Sequence, residues 1–274
     1  MITAEQKAYF HTFGFIHLPK QFSVEEMEAV TREADRLWEE HREGRPMGEN
    51  QQIQEFVEKG PLMSQMVVDD RIWGIVEGLL GSRFIWNGSE GNLSFNTEQN
   101  WHTDRPNEPH ATTYSFHLYL DKVRADTGCL RVIPGSHRPP LYDDLLPINE
   151  QSADTTMKVY GISPTDVPGI ALESDPGDLV FFSQKIYHGV YGKLPGRRYL
   201  KLRFVAWPET DEAIASLMRY NSRGSIYRPD KAFVNSDNPR IRAMVDPLLE
   251  LATRTEAERD HFDALGARNN AAIY

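Results

Sequence analysis

Asp175-Pro176-Gly177-Asp178-Leu179-Val180-Phe181-Phe182 reads as a turn followed by a short apolar strand, and it sets the texture of the middle of the chain. From residue 83 to about 208 similar runs recur at 84–86, 93–95, 114–120, 130–133 and 200–207, separated by Gly, Pro, Asp and Asn. Short strands spaced this way predict a β-sandwich or small barrel.

Helical signals flank this core. Thr3-Ala4-Glu5-Gln6 and Ser23-Val24-Glu25-Glu26 are capping boxes, a hydroxyl N-cap with Gln or Glu at the third helical position. The second opens an amphipathic helix with Met27, Val30, Ala34 and Leu37 on one face. Between the boxes, Gly14-Phe15-Ile16-His17-Leu18-Pro19 reads as a strand ended by proline, and residues 70–80 as a helix stopped at Gly81. The polar stretch 42–53 reads as a mobile loop, and the proline-rich connection 138–170 as a functional lid. Residues 239–265 read as a charged helical tail. The predicted organisation is one domain, mainly β with flanking α-helices: N-terminal helices 1–82, β-core 83–208 and helical tail 209–274.

Composition narrows the function classes. With 274 residues, 40% hydrophobic and 26% charged, the chain reads as a soluble globular protein. It has no run of about 18 apolar residues to span a membrane, and its first residues do not read as a signal peptide. The one cysteine, Cys129, rules out an intrachain disulfide framework and fits a reducing cytoplasm. A net charge of −10 argues against nucleic acid as a partner. It leaves room for a local pocket that binds a small anion.

A histidine followed two residues later by an aspartate occurs twice, and the contrast is informative. His261-Phe262-Asp263 lies in a predicted helix, where positions i and i+2 point to different sides. His102-Thr103-Asp104 lies in extended chain, where they share a face and can share a metal. His188, after the strand 179–182 and before Gly189, is the best candidate for a third ligand. Two histidines and a carboxylate form a facial triad that leaves open positions on Fe(II), as a bidentate 2-oxo acid plus O₂ requires. Arg197 and Arg198 follow the next turn, and a buried guanidinium there can hold a carboxylate bidentately. Adjacent strand residues face opposite sides, so one of the two points inward; Arg203 shares the parity of Arg197.

Taken together, Trp101-His102-Thr103-Asp104, Asp126-Thr127-Gly128-Cys129-Leu130-Arg131-Val132-Ile133-Pro134-Gly135-Ser136-His137-Arg138, Pro176–Phe182, His188-Gly189 and Gly196-Arg197-Arg198 resemble the phytanoyl-CoA dioxygenase family of Fe(II)/2-oxoglutarate oxygenases. The resemblance covers roughly residues 83–207 and implies a double-stranded β-helix (jelly-roll) core. It implies that His102, Asp104 and His188 are the iron ligands, that Arg197 binds 2-oxoglutarate, and that Gln99 contacts it. His137 reads as part of a structural turn. Two departures stand out. The interval from His188 to Arg197 is shorter than in many members, which brings Arg198 into contention. Val190 also stands where many members carry Ser or Thr.

The reaction implied is oxidation of a C–H bond of a small molecule, with O₂ consumed and succinate and CO₂ released; ascorbate serves as the reductant in vitro. Related halogenases lack the carboxylate at the position of Asp104, so its presence implies hydroxylation or another oxidation. Arg105, Asn107 and His110 are candidate substrate contacts, and Arg105 would suit an anionic substrate; Lys122 reads as a solvated charge. Trp86, Trp101, Tyr114 and Phe116 read as core. Two other readings are a cupin-type metalloenzyme that does not use 2-oxoglutarate, and a non-catalytic binding protein on the same fold.

Overall fold

In the computed structural model, which describes residues 2–95, 98–104, 112–149, 161–220 and 224–271, both capping boxes form. Thr3 Oγ1 accepts the Gln6 amide at 3.1 Å while Gln6 Oε1 accepts the Thr3 amide at 2.9 Å. Ser23 and Glu26 exchange the same pair of bonds. Each box satisfies two helix-end donors that would otherwise have no partner. They start helix α1 (Ala4–Phe13) and helix α2 (Val24–Glu40), with strand β1 (Phe15–Leu18) between them. Strand β2 (Gln51–Gln54), helix α3 (Pro61–Val67) and helix α4 (Asp70–Leu80) follow, the last ending at Gly81 as predicted.

The expected loop 42–53 is therefore corrected at its end, because Gln51 to Gln54 pair with β3 (Phe84–Ser94) as an edge strand. β3 corrects a second expectation. The runs 84–86 and 93–95 belong mostly to this one strand of 11 residues, running through Gly88 and Gly91. The core continues with β4 (Gln99–His102), β5 (Thr113–Tyr119) and β6 (Thr127–Val132). Short helices α5 (Leu141–Asp144) and α6 (Leu146–Asn149) open the long connection, whose residues 150–160 lie outside the described residues. Strands β7 (Ile170–Leu172), β8 (Leu179–Ser183), β9 (His188–Gly192) and β10 (Arg197–Ala206) complete the core. The tail holds α7 (Asp211–Tyr220), α8 (Lys231–Val234), α9 (Pro239–Ala257) and α10 (Arg259–Ala271). No helix among the described residues is long and apolar enough to cross a membrane.

The strands form two antiparallel sheets, β1-β8-β5-β10-β3-β2 and β4-β9-β6-β7, the sandwich expected from the strand pattern and the jelly roll that the family resemblance implies. Strand alternation gives the large sheet two faces of opposite character. Phe116 and Leu118 on β5, and Leu200, Leu202 and Phe204 on β10, pack outward with residues of α1, α2, α4 and α9 in the main apolar core. Trp86, Tyr114 and Phe116 are buried there, and Trp101 is buried in a smaller cluster on the other sheet. The inner face is apolar at the β8 side, where Val180 and Phe182 join Leu130, Val132 and Val190 of the small sheet. Toward β5, β10 and β3 the inner face is polar. That change of character along one sheet face leaves a cavity of about 290 Å³ between the sheets.

Candidate metal and co-substrate site

β4 and β9 bring the two distant histidines together. Their register sets His102 opposite His188 and Gln99 opposite Val190, and the imidazole centroids lie 4.3 Å apart. Asp104 follows β4, held by its own amide donating to the Gln184 carbonyl at 3.0 Å. Its Oδ1 lies 3.8 Å from His102 Nε2 and 3.6 Å from His188 Nε2. One ligand atom from each of the three residues falls within 4.8 Å of the others.

The outer nitrogens fix the tautomers. His102 Nδ1 is 2.7 Å from the Asn100 carbonyl, and His188 Nδ1 is 2.9 Å from the Ile186 carbonyl. A carbonyl only accepts, so each Nδ1 carries a proton and each Nε2 is the ring nitrogen turned inward toward Asp104. Burial and the neighbouring His188 push the His102 pKa down to about 4, so this ring is neutral and available as a donor at pH 7. Burial alone would raise the Asp104 carboxyl. Lys201 and the histidines outweigh it and hold Asp104 well below the usual range. Two imidazole nitrogens and one carboxylate oxygen, converging at the wall of an open cavity, fit a divalent cation.

The arginines separate as strand parity requires. Arg197 is 5% exposed, lines the cavity, and donates from Nη1 to the Gly128 carbonyl. No carboxylate among the described residues pairs with it. A buried guanidinium in that state calls for an anion. Arg198 faces the other way, with Nη2 2.6 Å from Asp121 Oδ1 and Nη1 2.7 Å from Asp35 Oδ2. Its candidacy for 2-oxoglutarate is corrected accordingly. Gln99 and Val190 line the cavity, and so does Arg203, although Arg203 is ion-paired with Glu90.

Arg105, Asn107 and His110 lie outside the described residues. Lys122 is a surface charge 4.0 Å from Asp175. His261 pairs with Asp211 at 2.8 Å, so the helical His-x-Asp pair does not converge on a site. The sequence reading missed Lys201, whose Nζ donates to Asp104 Oδ2 at 2.9 Å, and with it Glu90 and His117 on the same cavity wall. Parity along β10 was the available signal, since Arg197, Tyr199, Lys201 and Arg203 all face inward.

Comparison with known proteins agrees with this architecture. A curated "Probable phytanoyl-CoA dioxygenase" of Caenorhabditis elegans is 33% identical over 70 residues, 26% of this chain; the chain spans only 22% of the length of that relative. Among solved structures, EctD from S. alaskensis with bound Fe is 23% identical over 75% of this chain and 77% of that one, with a TM-score of 0.58. HygX from Streptomyces hygroscopicus, with nickel and 2-oxoglutarate bound, is 18% identical, covering 74% and 86%, at 0.59. SnoK, a non-heme alpha ketoglutarate dependent carbocyclase from nogalamycin biosynthesis, is 20% identical, covering 74% and 83%, at 0.56. These structural likenesses establish the shared fold. The family model "Phytanoyl-CoA dioxygenase (PhyH)" matches residues 10–192, more than half of the sequence, and the chain belongs to that family.

Proposed function

We propose that this protein is an Fe(II)- and 2-oxoglutarate-dependent oxygenase that oxidises a C–H bond of a small molecule, hydroxylation being the favoured outcome. The observation that carries this reading is the pairing, in one cavity, of a two-histidine, one-carboxylate cluster with the buried Arg197 that has no carboxylate partner among the described residues. His102, Asp104 and His188 would hold the metal. Arg197 would clamp the distal carboxylate of 2-oxoglutarate through its guanidinium, with Gln99 on the opposite wall as a further polar contact. When bound, the iron and its co-substrate supply the activation of O₂ and the conversion of 2-oxoglutarate to succinate and CO₂.

The chain's own part is orientation. The Asn100 and Ile186 carbonyls hold the imidazoles with Nε2 inward, and Lys201 keeps Asp104 ionised. Leu130 and Val190 add aliphatic surface to the cavity lining. Retention of Asp104 keeps a carboxylate at the position a halide would need, which favours oxygenation. The carbocyclase described for SnoK illustrates that this fold supports more than one oxidative outcome.

The test is anaerobic addition of 2-oxoglutarate to Fe(II)-loaded protein. A weak visible metal-to-ligand absorption band is expected, followed by succinate release when O₂ is admitted. Binding of Fe(II) with no band and no succinate would favour a metalloprotein that does not use 2-oxoglutarate.

A further inference from the structure

His117 is a buried polar group on the cavity wall to which the proposed function gives no task. Strand register fixes where it sits. On β10, Arg197, Tyr199 and Lys201 share the inward face and line the cavity in that order. Lys201 donates to Asp104, so this row runs from the guanidinium end of the cavity to the metal end. On β5, Tyr119 lies opposite Tyr199 and His117 opposite Lys201. The His117 ring centroid is 5.0 Å from that of Tyr199 and 4.9 Å from that of Phe182. The Phe182 ring is in turn 5.3 Å from that of His188. His117 therefore flanks the path of a ligand that spans Arg197 and the triad.

Two observations tie the ring to such a ligand. First, His117 is 6% exposed and lines the cavity, yet neither Nδ1 nor Nε2 has a hydrogen-bond partner in the protein. Buried polar atoms are rarely left in that state. In either protonation state an imidazole carries at least one N–H, so the partner it needs is an acceptor. Second, the ring is held where it is. Phe182 meets it at 90°, Tyr199 at 42° and Tyr119 at 85°, and its strand is paired with β10 on one side and β8 on the other. Turning toward a partner elsewhere in the protein would break these ring contacts.

We infer that His117 is a co-substrate contact: its ring N–H donates to an oxygen of the 2-oxo acid group at the metal end of the cavity, while Arg197 holds the far carboxylate. A substrate oxygen is the competing source of the same acceptor, and the experiment separates the two. This inference rests on the oxygenase reading above.

The test titrates 2-oxoglutarate and oxalate into Zn(II)-loaded protein by calorimetry, with no substrate present. Oxalate chelates a metal but has no distal arm. His117→Phe keeps a ring among Tyr119, Phe182 and Tyr199. It should weaken both ligands roughly ten- to a hundredfold, the effect of one hydrogen bond to a charged group, and leave Mn(II) affinity unchanged. His117→Asn or His117→Gln restores an N–H near one ring nitrogen, and at least one of them should recover much of the loss. Arg197→Met should weaken 2-oxoglutarate alone. Unchanged binding of both ligands in His117→Phe would overturn the inference and leave the ring to a substrate oxygen. A loss confined to 2-oxoglutarate, or one that neither Asn nor Gln recovers, would overturn it as well. In wild-type protein with isotope-labelled histidine, oxalate should shift a third imidazole resonance besides those of the two metal ligands. Shifts at those two alone would refute the contact with no variant needing to fold. Failure of 2-oxoglutarate to bind the wild type takes down the oxygenase reading itself, whereas binding that His117→Phe leaves intact overturns only the His117 contact.

Discussion

Asp104 divides its carboxylate between two kinds of partner: Oδ2 accepts from Lys201 Nζ at 2.9 Å, while Oδ1 faces the Nε2 atoms of His102 and His188 at 3.8 and 3.6 Å. The oxygen turned to the histidines is thus the one available to a cation, and the other is already tied to β10. Lys201 restrains the carboxylate's rotation, so the three donors converge before any metal arrives.

Removal of any donor should therefore be costly for metal binding. Changes to the surroundings of metal ligands typically cost about 10–100-fold in affinity, and loss of a ligand itself costs more. His102→Ala, Asp104→Ala and His188→Ala should each weaken Mn(II) binding by at least about a hundredfold, read by electron paramagnetic resonance titration. His261→Ala, in the helical pair bound to Asp211, should leave it unchanged. Wild-type Mn(II) affinity in all three site variants would sink the triad assignment.

The adjacent arginines should separate cleanly. Arg197→Met removes the buried cation facing the cavity, and the Kd for 2-oxoglutarate should rise roughly ten- to a hundredfold, as expected for losing hydrogen bonds to a charged group. Arg198→Met should leave that Kd near wild type. It breaks the pairs with Asp121 and Asp35, which are partly solvent-screened, so the loss is about 1 kcal/mol and a Tm decrease of roughly 2–4 °C. The reverse outcome would reassign the clamp.

Gly128 belongs to the segment that carried the family resemblance, and its environment supplies a reason for glycine. Its φ is +85°, and a Cβ there would sit 2.6 Å from Arg197 Nη1. Gly128→Ala should displace the guanidinium and weaken 2-oxoglutarate binding while leaving Mn(II) binding intact. Equal weakening of both ligands would mean a general loss of structure.

Much of this was legible in the sequence, for identifiable reasons. Thr3 and Ser23 announce their helices because a capping box is a local hydrogen-bond pattern. His102 and Asp104 could be told from His261 and Asp263 because strand and helix periodicities differ. What was not legible depends on distant packing. The β3 run looked broken because Gly91 makes room for the ring of Phe56, and Gly88 for that of Tyr227. The partners of His102 Nδ1 and His188 Nδ1 are backbone carbonyls, which no residue type reveals. Lys201, Glu90 and His117 are unremarkable in their own segments, and only the register of β3, β10 and β5 makes them neighbours.

Glu58 offers a test of the fold away from the site. It is 3% exposed, accepts from Trp86 Nε1 at 2.8 Å, and is hydrogen-bonded by Ser89 Oγ. Burial raises its pKa above the ordinary 4.5, more than these bonds lower it. A carboxyl whose folded pKa is raised holds its proton in the native state after the unfolded chain has lost it. Its stabilising contribution is then complete below pH 4.5 and is lost as pH rises through the folded value. Glu58→Gln preserves the shape and removes the titration. The gain in denaturation midpoint of Glu58→Gln over wild type should grow as pH is raised from 5 toward 8, measured by urea unfolding of metal-free protein. A midpoint difference that stays constant across that range would show that Glu58 ionises normally and that its burial carries no electrostatic cost.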